Sequence, residues 1–497
     1  MSRRRNKQLI LGFLTVVALV VVVGGSWKLI HSKVNSGSTA KPSPTATIPV
    51  ANPISDRISY GDRIFINYSD ESKEFQTLKN NKDFQQARNN LKFRQQGSEF
   101  CADPEPLIYL NNAQIGKKES YKIAVVVPIE NQQVAALEIL RGVAQAQDDI
   151  NKSVTKINGK FLKVIIANEI EGNTNITEGI ANYLVEDKDI LGVIGHFTSD
   201  DTEKAVPIYG KPDLKEKRLV LISSTSTKPK IDDQTRYFFR TVPNNIDEAE
   251  KLAEYMFTKL YQPKPAIVFN SGSTYSRSLQ EEFKKVVRTR TGKEPPIYDL
   301  KKGLNGSQII KESIKNQTNV FLFAGNKSSI KETIFNFLNP QAQKFHYLAG
   351  DAMYEPSSLT GNPDIGRRLR NMVIAVPWHY TVPYPKSQDF VKNSYQLWCQ
   401  PQRNENKITW RTATSYDATN ALIEAIKKNP NPSRETIQEV LSNNFSMQDE
   451  GVTGKIRFKN NGDFDGESKL VQLVEKEAGT LYEFQLLPDQ LTPIPSP

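Results

Sequence analysis

From Tyr121 onward, short runs of apolar and β-branched residues recur with amphipathic stretches between them: KIAVVVPI, LKVIIANE, LGVIGHF, RLVLISS, AIVFN, PIYDL, NVFLFAG, FHYLAG and MVIAVPW. A strand buried on both faces reads as a continuous apolar run, whereas a half-exposed strand alternates. This texture therefore predicts parallel sheets covered by helices on both sides. Leu137, Leu140 and Ala144 trace an apolar helical stripe after the first run, ending near Ile150, and Glu178 to Val185 repeats the pattern after the second. About ten strands exceed the six of one doubly wound sheet, so the chain divides into two successive α/β doubly wound lobes. FRTVPNN, residues 239–245, lies at the midpoint and reads as a crossing segment.

The 497 residues, 38% hydrophobic, suffice for two or three compact units. The net charge of +10 is diluted, because Lys and Arg alternate with Asp and Glu in stretches such as KLAEYMFTKL and EEFKKVVRTR. These are solvated helix faces, and nucleic acid is not an expected partner. Four histidines, with no CxxC or HExxH, give no support for a metal site, and no cofactor is expected. There is no Gly-rich phosphate loop and no nucleophile elbow. His196 and His379 have no partner at a recognisable spacing, and the neighbours Asp200 and Asp201 point apart on a helix. The expectation is a binding protein that catalyses nothing, with His196 a structural residue.

Arg3, Arg4, Arg5 and Lys7 precede the apolar run Leu9 to Gly25. At 1.5 Å per residue this run nearly crosses a hydrocarbon core of about 30 Å, and its basic leader stays cytoplasmic. Residues 1–30 are expected to be a single-pass inner-membrane anchor with the bulk of the chain periplasmic. A cleaved signal segment ending at Val23 and Gly25 is the alternative. Residues 31–54, rich in Ser, Thr, Pro and Ala, read as a flexible linker. Residues 55–118 turn helical in pattern, and DPEPLIYLNNAQIG looks like the opening helix of a tetratricopeptide-type unit. One such unit is too few for an array, so this helical prefix is expected to dock on the following domain. Cys101 and Cys399 are either a disulfide or two separate thiols.

Ligands of doubly wound sheets sit beyond the carboxyl ends of the strands, near helix N-termini. After LGVIGHF come Thr198, Ser199, Asp200 and Asp201, candidates for ligand contact or for simple helix capping. After RLVLISS come Ser224, Thr225, Ser226 and Thr227, hydroxyls suited to a carboxylate or to an ordinary loop. Tyr275 follows AIVFN and is placed to stack on a bound molecule. Asp351 follows FHYLAG and is placed to accept from an ammonium, or else to cap a helix.

The ordered series KIAVVVPI, VIGHFTSDDT, LISSTSTKP, YFFRTVPNN, STYSRSLQEEF, LAGDAMYE, SYDATNALIEAI and GVTGKIRFKNNGD resembles the type I periplasmic binding proteins, closest to the leucine/isoleucine/valine-binding branch of ABC-transporter receptors. It spans about residues 119 to 478. The resemblance implies two lobes joined by three crossings, the second near VPWHY and the third near GKIRFKN. Lobe 1 is then 119–242 plus 379–455, lobe 2 is 243–378 plus 456–478, and 479–497 is a Pro-rich tail. Ligand-contacting positions of the family fall on Ser199, Thr225, Ser226, Thr227, Tyr275 and Asp351. Asn326 replaces a family tyrosine, and Glu130, Asn131, Gln132 and Gln133 replace a Gly-containing turn. The membrane segment and prefix lie outside the common pattern and look like those of cyanobacterial relatives. The implied function is capture of a small polar ligand, such as an amino acid or amide, for an ABC permease. The alternative is a membrane-tethered sensor or protein-interaction scaffold.

Overall fold

A computed structural model describes residues 53–66, 103–210, 215–231, 235–304, 306–325, 345–356, 363–398, 408–477 and 481–488. The expected anchor, residues 1–30, lies outside the described residues, as do Cys101, Cys399 and Asn326. Among the described residues no helix is long and apolar enough to cross a membrane.

The elements begin with β1 (Ile58–Ser59) and α1 (Pro104–Ile115). Strands and helices alternate as far as β5, which β6 follows directly: β2 (Ser120–Val127), α2 (Gln133–Lys152), β3 (Phe161–Asn168), α3 (Thr174–Glu186), β4 (Ile190–Ile194), α4 (Ser199–Tyr209), β5 (Val220–Ser223) and β6 (Phe238–Arg240). The second lobe runs α5 (Asn245–Lys259), β7 (Pro265–Phe269), α6 (Thr274–Thr291), β8 (Ile297–Asp299), α7 (Gly306–Lys315), β9 (Val320–Ala324), β10 (His346–Ala349), α8 (Pro363–Arg368) and β11 (Val373–Val376). The chain then returns to lobe 1 for α9 (Pro385–Trp398), α10 (Trp410–Lys427) and α11 (Arg434–Ser442). It closes on lobe 2 with β12 (Lys469–Glu477) and β13 (Leu481–Leu486).

The sheets are ordered β1-β3-β2-β4-β5-β6 and β13-β12-β11-β10-β9-β7-β8. The five strands β3-β2-β4-β5-β6 of lobe 1 are all parallel, as are β8-β7-β9-β10-β11 in lobe 2. Numbered along each lobe, both follow the order 2-1-3-4-5, which reverses direction between β2 and β4 and between β7 and β9. The strands are buried as their apolar runs predict: every residue of β5, β9 and β11 is inaccessible. Helices cover the sheets through one apolar face, such as Ala136, Ile139, Leu140 and Val143 of α2.

The prefix docks on lobe 1, but not as a purely helical unit. Ile58 and Ser59 pair antiparallel with Ala167 and Ile166, adding an edge strand. The buried Glu105 of α1 accepts from the backbone N–H of Phe65 at 2.7 Å and of Ile66 at 2.9 Å. Asn112 then bonds both backbone groups of Val164 in β3.

Two expected boundaries move. GKIRFKN stays with lobe 1, because Arg457 bridges Ser446, Phe458 bridges Phe464, and Arg240 N–H donates to Gly462 O at 3.1 Å. The third crossing comes later, between Asp465, bonded back to Arg457, and Glu467, which pairs with Lys251 of α5 at 2.8 Å. The tail expected from residue 479 also yields its first part to β13. There Tyr482 and Phe484 turn inward while Glu483 and Gln485 turn out, the period of a half-covered strand.

Candidate functional site

The reversals of strand order open gaps at the carboxyl ends of β2 and β4 in lobe 1 and of β7 in lobe 2. The loops that leave these ends line one cleft of about 1360 Å³. From lobe 1 it receives the start of α2 and residues 197–201. From lobe 2 it receives Asn270, Ser273, Tyr275 and Asp351.

Four of the six expected site residues line this cleft: Ser199, Thr225, Tyr275 and Asp351. Thr198 caps α4, its hydroxyl accepting from Asp201 N–H at 3.0 Å, which frees Ser199 from that task. The Ser199 hydroxyl accepts from Ser226 Oγ and from Lys228 N–H, both at 3.3 Å. Ser199 thus stands on the cleft wall, backed by Ser226 and the Lys228 N–H. Thr225 spends its proton on Phe197 O at 2.7 Å. Ser226 and Thr227 do not line the cleft: Ser226 supports Ser199 from behind, and the buried Thr227 Oγ1 has no partner among the described residues.

The neighbouring acids diverge as their helical spacing requires. Both carboxylate oxygens of Asp200 accept from Thr274 N–H, at 3.0 and 3.1 Å, reaching from lobe 1 to the first residue of α6 in lobe 2. Asp201 turns inward to Thr198 and Thr177, and burial with the nearby Glu169 charge raises its carboxyl to about 7. His196 is wholly buried, with Nδ1 2.6 Å from Glu169 and Nε2 3.1 Å from the Tyr209 hydroxyl, as befits a structural histidine.

On lobe 2, Tyr275 sits at the start of α6 and Asp351 just past the end of β10. Burial holds the Tyr275 phenol neutral, and the neighbouring carboxyls of Glu248 and Asp351 reinforce this. Burial raises the Asp351 carboxyl, opposed by the Arg411 charge and by hydrogen bonds from Tyr275 and the Ala352 N–H.

Sequence reasoning missed the third wall, supplied by the start of α10. Arg411 lines the cleft, donates from Nη1 to Glu138 Oε2 at 3.0 Å and packs its guanidinium 4.5 Å from the centre of the Trp410 ring. Its position follows from a helix contact. A Cβ on Gly142 would lie 2.2 Å from Thr412 O, so α2 and α10 approach at backbone distance and bring Glu138 against Arg411. The available signal was a Trp-Arg pair opening a helix with little polar face. In the loop after β2, Asn131 exchanges two hydrogen bonds with the Glu171 backbone and Gln132 bonds the Glu171 side chain. Among the described residues no group of His, Cys, Asp and Glu is arranged to hold a metal ion.

The sequence profile of a family described as periplasmic binding protein matches residues 120–479, leaving the prefix outside. A curated relative, an amino acid binding protein of Pseudomonas aeruginosa, is 27% identical over 142 residues, which are 28% of this chain and 36% of the relative. The match thus spans about a third of that relative's length. The ABC transporter substrate-binding protein of Desulfitobacterium hafniense in complex with Leu is 20% identical with a TM-score of 0.60, covering 74% of this chain and 100% of that one. A leucine binding protein from Thermotoga maritima is 19% identical with a TM-score of 0.60, covering 74% and 99%. A solute binding protein of an ABC transporter from Rhodopseudomonas palustris HaA2, in complex with p-hydroxybenzoic acid, is 15% identical with a TM-score of 0.60, covering 74% and 96%. At these identities the structures establish a shared fold.

Proposed function

Because the chain belongs to the periplasmic binding protein family, we propose that it captures a small polar solute of amino-acid type between its lobes and delivers it, chemically unchanged, to an ABC permease. The observation that carries this reading is the complementarity of the two cleft walls. Ser199 on lobe 1 brings a hydroxyl to the space, and Asp351 on lobe 2 presents a buried carboxyl. A zwitterion offers an anion to the first and an ammonium to the second. Tyr275 completes the lobe 2 wall, and Thr225 holds the lobe 1 loop in place through Phe197. Closure of the lobes then encloses the solute. The relatives of the same fold found with Leu and with p-hydroxybenzoic acid both carry a carboxylate ligand, which supports an anion-accepting first wall.

The proposal includes the membrane. The basic leader Arg3, Arg4 and Arg5 before an apolar run supports residues 1–30 as an inner-membrane anchor, with the lobes periplasmic. Tethering raises the local concentration of the receptor near a permease.

The test is a thermal-shift panel of amino acids, amides, urea and small aromatic carboxylates against the full-length chain in detergent. A solute that binds only the native state stabilises it by about 2.7 kcal/mol at one hundred times its Kd. At least one amino acid or carboxylate is expected to raise the melting temperature. A flat response across the panel overturns solute capture and favours the tethered scaffold.

A further inference from the structure

Behind Asp351 lies a second acid, Glu248, in the first turn of α5. It does not line the cleft and is only 1% exposed. Oε1 and Oε2 of Glu248 and Oδ2 of Asp351 are buried with no well-aligned hydrogen-bond donor among the described residues, and the Asp351 backbone N–H faces the Glu248 carboxyl. The two carboxyl groups lie within hydrogen-bonding reach of each other. Gly350 makes the meeting possible. A Cβ there would lie 2.2 Å from Tyr275 Oη and 2.9 Å from Glu248 Oε2, so the phenol and the carboxyl occupy the space a side chain would take.

The surrounding charges do not neutralise two anions. From α6 the group facing the pair is the Tyr275 phenol, and β11, packed against α5, contributes the apolar Val373–Val376. Asp247, next in sequence, accepts from Ser468 N–H at 2.7 Å. Lys251, one turn along, is paired with Glu467. Arg411 acts on Asp351 from lobe 1, but its guanidinium is bonded to Glu138. Two facing carboxylates that share a buried site with so little compensating charge do not both ionise.

We propose that Glu248 is a positioning residue that keeps its proton at neutral pH and donates it in a hydrogen bond to Asp351, so that the lobe 2 wall presents a single negative charge. This deepens the solute-capture reading and rests on it only for the use made of that charge. Burial, and then the Asp351 charge, push the Glu248 carboxyl well above its ordinary range, while Arg411 restrains the rise at Asp351. The proton therefore resides on Glu248, the group farther from the cleft. A wall of this kind takes one ammonium and rejects a divalent cation or a diamine, which would require both acids ionised.

A carboxyl whose folded pKa is raised binds its proton more tightly than the unfolded chain does. It therefore subtracts stability as pH climbs from its unfolded value of about 4.3 toward the folded one. Glu248→Gln keeps a donor, cannot ionise and escapes that loss. The experiment follows the melting temperature of the full-length protein from about pH 5 to about pH 8, with infrared spectra of the same solute-free samples. The variant is expected to gain on the wild type as pH rises, by about 2 °C or more at the upper end. The spectrum of the wild type minus Glu248→Gln near neutral pH is expected to contain the carbonyl band of one protonated carboxylic acid. Asp351→Asn supplies an independent arm, since loss of the neighbouring charge moves the titration of that acid band in glutamate-labelled protein to lower pH. A gain that does not depend on pH, together with no acid band that disappears in the first variant or shifts in the second, overturns the inference. Every arm is read without solute, so its failure leaves solute capture standing, and a flat solute panel leaves these arms readable.

Discussion

A carboxylate buried against an ammonium cannot be replaced by water, so truncating it removes the pairing and leaves the ligand charge desolvated. Asp351 is 2% exposed and faces the cleft. Asp351→Ala is expected to weaken the amino acid found by the solute panel by roughly tenfold or more, equivalent to about 1.4 kcal/mol, as measured by calorimetry. Unchanged affinity would remove Asp351 from the site. Ser199→Ala forfeits one hydrogen bond and is expected to cost about 1 kcal/mol of binding. Thr227→Val, whose hydroxyl lies off the cleft without a partner among the described residues, is expected to leave affinity unchanged in the same titration. That contrast marks the limit of what strand-end motifs reveal. Position after a strand identifies the loop that reaches a cleft, but the turn of the loop decides which hydroxyl enters it, and LISSTST carries several in a row. Glu248 was not legible at all, and Arg411 only through the Trp-Arg pair that opens α10, because each comes from a helix whose approach is decided by tertiary contacts.

At the level of elements, the legible part is the alternation itself: continuous apolar runs became parallel strands, and the helices between them buried their apolar stripes. The antiparallel additions were harder to read, since β1 is two residues long and β13 sits just ahead of a Pro-rich end. Close helix contacts were equally hidden. Gly142 reads in sequence as a weak point of α2, yet it is where α10 touches. Gly142→Val is expected to destabilise the protein by about 1–3 kcal/mol in denaturant titration. Affinity should fall with it, since Glu138 and Arg411 separate. The prefix makes a pH-dependent prediction through Glu105. Burial raises that carboxyl to about 7 despite the hydrogen bonds it accepts from Phe65, Ile66 and Tyr109. The native state therefore holds an extra proton between the unfolded value and about 7, and stability falls as pH rises through that window. The slope from this group reaches about 1.4 kcal/mol per pH unit. Glu105→Gln, weaker overall for want of one acceptor oxygen, is expected to show a shallower fall between about pH 5 and pH 7. An identical slope would mean that the prefix carboxyl is already ionised.

For the whole molecule, the decisive contact is one that neither lobe makes alone. Asp200 lies in the first turn of α4 in lobe 1, and both its carboxylate oxygens meet the first N–H of α6 in lobe 2. The amino end of a helix carries unpaired donors and a partial positive charge, so a carboxylate there is stabilised by about 0.3–1 kcal/mol, and by up to about 2 kcal/mol when partly shielded. In a hinged protein such a contact exists only while the lobes are together, so its free energy is spent entirely on the closed state. Asp200→Ala is then expected to shift the solute-free population toward open forms, seen as a larger radius of gyration in small-angle scattering. A contact worth about 1 kcal/mol multiplies the open-to-closed ratio roughly fivefold when removed, and the apparent Kd rises by no more than that factor. Asp200→Asn, which keeps an acceptor but not the charge, should fall between the two. Raising the salt concentration should narrow the gap between Asn and wild type, because the exposed part of the interaction is screened. If the alanine variant scatters like wild type yet binds solute more weakly, Asp200 contacts the ligand directly rather than holding the lobes.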